Sequence, residues 1–215
     1  MIAIIDNDRL RRQSICEMLH YMGILSVGAE SAACEKLPLH CSALLFASEG
    51  AIDTSNINDE CDIPRYAVSG YYVPGVRACF SSGEPIAEVI SAIKADMRHR
   101  GERCIGEYTL GALDASAELG GVSYLGKPVK LTRTEAMVLR YLILTYPQAA
   151  SAEDILKYAF RAARLPEVSS VRTHVSIMNK KFKGAAGEAL IVPSDPSGYV
   201  LSDAVIFANR EPVLV

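Results

Sequence analysis

Asp6 and Asp8 close the apolar run "MIAIIDND" at the start of the chain. Two carboxylates at the end of a buried strand are the ligands a hard divalent cation such as Mg²⁺ takes, with water completing its shell. A second apolar run, "SALLFASEG" at 42–50, ends on Ala47 and Ser48. If the two strands end side by side, the pocket between them has acids for a metal and no carboxylate for a nucleophile. A second constellation lies far along the chain. Residues 161–183 hold Arg161, Arg164, Arg172, Lys180, Lys181 and Lys183 against the single acid Glu167. The whole chain of 215 residues carries a net charge of −3, so this local excess of cations points to an anionic partner.

The six cysteines, Cys16, Cys34, Cys41, Cys61, Cys79 and Cys104, all fall in the first half, and none forms a Cys-x-x-Cys pair. A zinc ribbon or thioredoxin-like site is excluded on that spacing, and the thiols read as small buried apolar residues. No cofactor and no metal centre is expected. The N-terminus lacks a basic segment followed by a long apolar one, and no apolar run approaches the length of a membrane span. A soluble, cytoplasmic protein without a membrane partner is expected.

The elements that must position these residues follow from periodicity. "MIAII", "ILSV" at 24–27, "ALLFA" at 43–47, "YAVS" at 66–69 and "VRACF" at 76–80 read as strands. Helices are expected over 9–22, 29–37 and 85–98, the last with Ile86, Val89, Ile90, Ile93 and Met97 on one face. Alternating strand and helix implies a parallel sheet with both faces covered. Only "GYYVPG" separates the last two strands, too short for a helical crossover. Beyond the polar segment "MRHRGER" the pattern changes to short antiparallel strands with glycine turns. Thr132 and Glu135 fit a capping box opening a helix that Pro147 closes, and Ser151 opens another. A third helix carries Val171, Val175, Met178 and Phe182 inward, and "ALIVPSDPSGYVL" folds as a hairpin.

From about Tyr108 to Ser202 the chain resembles the effector domain of OmpR/PhoB-type response regulators. The motifs "GKPVKLTRTEAMVLRYLI", "SAEDIL", "VRTHVSIMNKKF" and "SGYVL" stand in the family's order. The resemblance implies a winged helix whose third helix enters the major groove of double-stranded DNA. With the apolar stripe inward, Ser169, Arg172, Thr173, Ser176, Ile177, Lys180 and Lys183 fall on the other side, where hydroxyls and cations suit phosphate oxygens and base edges. Asn179 is expected to read a base. The family usually has arginines where Ser176, Ile177 and Asn179 stand, and Asp195 replaces an arginine of the hairpin.

By position, the N-terminal half is then the receiver of such a protein: a flavodoxin-like α/β domain lacking one crossover helix. The resemblance assigns Asp6, Asn7 and Asp8 to the acidic cluster, Ala47 or Ser48 to the phosphoacceptor position, Ser69 to the hydroxyl, and Ser81 or Ser82 to the place of a lysine. The pocket is therefore expected to be degenerate, with Asp6 and Asp8 as a solvated remnant. The domains expected are a pseudo-receiver at 1–98, a linker at 99–105, a winged helix at 106–203 and a tail at 204–215. The function implied is a phosphorylation-independent orphan regulator that binds DNA as a homodimer through its N-terminal domain, with RNA polymerase as a further partner and no enzymatic activity. Two alternatives stand beside it: a winged helix that binds protein instead of DNA, and a redox or ligand sensor acting through the N-terminal domain.

Overall fold

The computed structural model describes residues 1–30, 40–47, 63–116, 121–160, 167–194 and 198–207. The chain divides into two compact units, Met1–Ile105 and Gly106–Val215.

The first unit is built on five parallel strands: β1 (Ile2–Ile5), β2 (Ser26–Ala29), β3 (Ala43–Ala47), β4 (Arg65–Val68) and β5 (Ala78–Phe80). Their order is β2-β1-β3-β4-β5, that of flavodoxin-like folds. β1 and β3 are buried at every residue, as central parallel strands covered on both faces must be. Helix α1 (Arg9–Tyr21) turns Ile15, Cys16 and Leu19 inward. Helix α2 (Ile86–His99) does the same with Val89, Ile90, Ile93 and Met97. Two strands start later than their apolar runs. Ser26 pairs with Ile2 and Ala78 with Tyr66, so Ile24 and Leu25 are buried ahead of β2 as part of its approach. The helix expected over 29–37 lies largely outside the described residues.

No helix joins β4 to β5, as the short connection required. Val73 takes over part of its work. It is 3% exposed and packs with Ala3, Ile5, Leu44, Phe46 and Ala67, one face of the three central strands. The segment expected as a linker, 99–105, is instead built into the first unit. Arg77 Nη1 reaches Glu102 Oε2 at 2.7 Å, and the buried Cys104 thiol faces the Lys94 carbonyl oxygen at 3.5 Å.

The second unit opens with an antiparallel sheet of β6 (Thr109–Leu110), β7 (Leu113–Asp114), β8 (Ser123–Tyr124) and β9 (Lys127–Pro128) in sequential order. Leu125 and Gly126 both have positive φ, the two-residue turn whose twist matches a hairpin. Then come α3 (Arg133–Thr145), β10 (Ala150–Ser151), α4 (Ala152–Ala159), α5 (Val168–Ala186), β11 (Ile191–Ser194), β12 (Gly198–Leu201) and α6 (Asp203–Ile206). The last three strands form a sheet in the order β10-β12-β11. A Cβ on Gly198 would lie 2.9 Å from the Ala150 carbonyl oxygen, so only glycine lets β12 approach β10 this closely.

Both helix starts read from the sequence form as expected. Thr132 Oγ1 accepts from the Glu135 N–H while Glu135 Oε2 accepts from the Thr132 N–H, and Ser151 accepts from the Asp154 N–H. Each such cap is worth about 1 kcal/mol. The expected tail from 204 onward begins as structure: Val205 and Ile206 are buried, and Tyr124 donates its hydroxyl to the Val205 carbonyl at 3.0 Å. A sheet of four short strands, three packed helices and a C-terminal hairpin make this unit a winged helix-turn-helix.

Candidate nucleic-acid interface and acidic pocket

The carboxyl ends of β3 and β4, at Ala47 and Val68, face a cleft of about 290 Å³ that α1 also lines. Asp6, the first residue beyond β1, is 2% exposed. Its two carboxylate oxygens are gripped by the forked guanidinium of Arg11, Nε to Oδ2 at 2.5 Å and Nη2 to Oδ1 at 2.9 Å. Arg12 also donates to the Asp6 carbonyl. A buried carboxylate needs a counter-charge, and here the chain supplies it. Asp8 is the N-cap of α1, accepting from the N–H groups of Leu10 at 2.8 Å and Arg11 at 3.1 Å. The Arg11 and Leu10 N–H groups hold its carboxyl below the usual carboxylate range.

Asp6 is therefore not the solvated remnant expected, while Asp8 is exposed. One acid is neutralised inside the fold and the other is occupied in capping, because the helix that follows β1 begins with arginines. Asn7 is exposed between them. Ala47, 4% exposed, ends β3 with no reactive atom, and Ser48 lies outside the described residues. Ser69 is 5% exposed, and its hydroxyl accepts from the Tyr71 N–H at 3.1 Å. Ser82 is exposed at the mouth of the cleft. Among the described residues no group of three His, Cys, Asp or Glu side chains could hold a metal ion. The thiols divide: Cys16 and Cys104 are buried as expected, Cys41 is half-buried, and Cys79 is exposed.

In the second unit, α5 behaves as its period dictates. Val171, Met178 and Phe182 are fully buried and Val175 is 6% exposed, each side chain contributing roughly 1.5–3 kcal/mol. The opposite face presents Ser169, Arg172, Thr173, Ser176, Ile177, Lys180 and Lys183 to solvent. Two neighbours leave this row. Lys181 turns away to Glu135, Nζ to Oε2 at 2.6 Å. Asn179 is only half-buried, but its amide is fully engaged: Nδ2 donates to the Ile191 carbonyl at 2.7 Å, and Oδ1 accepts from the Ile191 N–H at 2.8 Å. The expected base reader is therefore a clamp between α5 and the hairpin. Where α4 and α5 begin, beside the hairpin, lies a cleft of about 690 Å³ lined by Ser151, Glu153, Ser169, Arg172, Ser194 and Tyr199. Asp195, Arg161 and Arg164 lie outside the described residues.

Residues 126–201 match the family model described as "Transcriptional regulatory protein, C terminal". The second unit thus contains a domain similar to the C-terminal domain of transcriptional regulatory proteins. Solved structures similar to the chain include the response regulator DrrB, a Thermotoga maritima OmpR/PhoB homologue. It is 14% identical over 94% of this chain and 98% of that one, with a TM-score of 0.43. The DNA-binding domain of CpxR from E. coli is 21% identical over 44% of this chain and 94% of that one, at 0.38. The DNA-binding domain of AdeR, solved in complex with an intercistronic region, is 16% identical over 44% and 97%, at 0.40. No curated protein matches the chain.

The winged helix matches a transcriptional regulatory module. No helix among the described residues is long and apolar enough to cross a membrane. The partners of two side chains escaped the sequence reading. Arg11 left a signal, since it follows Asp6 within one helical turn of an expected helix start. Asn179 left none, because its partner depends on where β11 comes to rest.

Proposed function

We propose that the chain is a transcriptional regulator that binds double-stranded DNA through α5 without needing phosphorylation of its N-terminal unit. The observation that carries this reading is the solvent-facing row of Arg172, Lys180 and Lys183, interleaved with hydroxyls, on the third helix of a winged helix from this family. Arg172, Lys180 and Lys183 contact phosphates, while Ser169, Thr173 and Ser176 reach phosphate or base edges. The N-terminal unit, acting in the cytoplasm, dimerises the protein, so that two moderately basic helices bind one site together. RNA polymerase is the further partner of such a regulator.

Phosphorylation-independence is supported by two features of the sheet's end. Ala47 offers no acceptor, and the Arg11 guanidinium already neutralises Asp6. Ile177, 39% exposed in the middle of the reading face, and Glu153 beside Arg172 favour the other reading, a winged helix that binds protein. Titrating the full chain against a selected duplex at several salt concentrations separates the two. DNA binding through three phosphate contacts per copy gives an affinity that falls linearly with log salt, with a slope near three per copy. No binding at low salt excludes the DNA reading.

A further inference from the structure

We infer that the first unit pairs with a second copy of itself through α1, the two helices lying antiparallel across a two-fold axis near Gln13 and Ser14. This rests on the proposed dimer and names its surface. Among the described residues α1 presents an outward stripe of exposed large apolar side chains: Leu10 is 78% exposed, Met18 41% and Tyr21 72%. Leu10, Ser14 and Met18 stand at i, i+4 and i+8, so they share one side of the helix. The outward face of α2 offers small or polar side chains, Ala87, Glu88, Ser91, Ala92, Ala95, Arg98 and His99. Dimer interfaces are richer in large apolar side chains than the remaining surface, which favours α1 over α2.

Charge along α1 fits a second copy running the other way. Arg9 lies exposed at the N-terminal end, and Glu17, also exposed, is the helix's only acid. An axis between residues 13 and 14 sets Arg9 of one copy opposite Glu17 of the other, and Leu10 opposite Met18. A parallel pair would face like with like. The small Ser14 at the crossing lets the helix axes approach. Beside it opens the cleft of about 290 Å³, walled by Ser14, Ile15, Met18, Ala47, Val68 and Ile86, into which an apolar side chain from the other copy can seat.

Sedimentation of the full-length protein at micromolar concentration, with a Leu10→Glu/Met18→Glu variant beside it, tests this. Both positions are exposed in the single chain, so circular dichroism should match the wild type. The wild type should sediment as a dimer, and the variant should dissociate at least tenfold more readily. In a Cys79→Ser background, Ser14→Cys should form a disulfide-linked dimer under mild oxidation, which Cys79→Ser alone does not. A wild-type dimer that is indifferent to the double substitution and yields no cross-link overturns the α1 surface and leaves the dimer reading standing. A wild type that is monomeric throughout overturns both, and assigns the stripe to a different partner.

Discussion

The side-chain amide of Asn179 makes both hydrogen bonds that the backbone of Ile191 can offer, at 2.7 and 2.8 Å. The helix carrying the exposed cations is thereby fixed to the first strand of the hairpin. Asn179→Ala breaks both bonds and leaves two backbone groups to find water. The expected loss is about 1–3 kcal/mol of stability in the winged helix. Binding should weaken on every duplex alike, since the hairpin and helix lose their mutual register. A melting curve that does not move, with discrimination lost at a single base pair, would restore the base-reading role.

Lys180 is exposed. Lys180→Ala should leave melting unchanged and lower the salt slope of DNA binding by about one. Affinity measured at three or four salt concentrations checks this. A parallel line, weaker by the same factor at all salts, would mean that Lys180 touches no phosphate.

The Arg11 fork on Asp6 predicts indifference to phosphodonors and magnesium. Incubation with acetyl phosphate and Mg²⁺ should leave the intact mass of the protein unchanged. Millimolar Mg²⁺ should not raise its melting temperature. Arg11→Ala strands a buried carboxylate and should cost about 2–3 kcal/mol, less than a fully buried pair because the arginine is partly exposed. In that variant Mg²⁺ should become stabilising by mass action. Magnesium stabilisation of the unmodified protein would contradict this assignment.

Glu135 predicts a pH dependence confined to the winged helix. Burial works against its charge, but the Lys181 ammonium and the Thr132 N–H outweigh burial and hold the carboxyl below its ordinary value of 4.5. A depressed pKa stabilises the fold above the unfolded value, and that stabilisation is lost as pH falls through the folded one. Denaturant melts of wild type and Lys181→Met should therefore differ near pH 6. The gap should narrow as the solution is taken below about pH 4. A gap that stays constant down to pH 3 would show that the pair adds nothing through charge.

Much of this architecture is legible in the sequence because it depends on local periodicity. The stripe Val171–Val175–Met178–Phe182, the capping box Thr132–Glu135 and the absence of a helix after Val68 each follow from spacing within a few residues. The pocket was legible as to what it lacks, at Ala47, but not as to what fills it. Whether Asp6 faces water or a guanidinium depends on the rotamer of Arg11, which the packing of α1 on the sheet decides. Asn179 follows the same logic at longer range. Its position on α5 lies between the buried and exposed faces, and only the register of β11 determines which it serves. Lys181 counted toward the basic cluster by composition, yet the fold directs it to an acid 46 residues earlier in the chain.

Val73 gives the parallel sheet an uneven strength. An amphipathic helix covers a sheet with several side chains and hydrogen-bonds its own backbone, so it yields only as a unit. The connection from β4 to β5 places only Val73 fully in the core, with Val76 partly buried against it, and the strand it leads to is three residues long with an exposed middle residue. Segments with few buried contacts open at lower free energy than the whole domain. The amides of β5 should thus exchange with deuterium well before those of β1 and β3, and the sheet should fray from this edge inward while its centre stays closed.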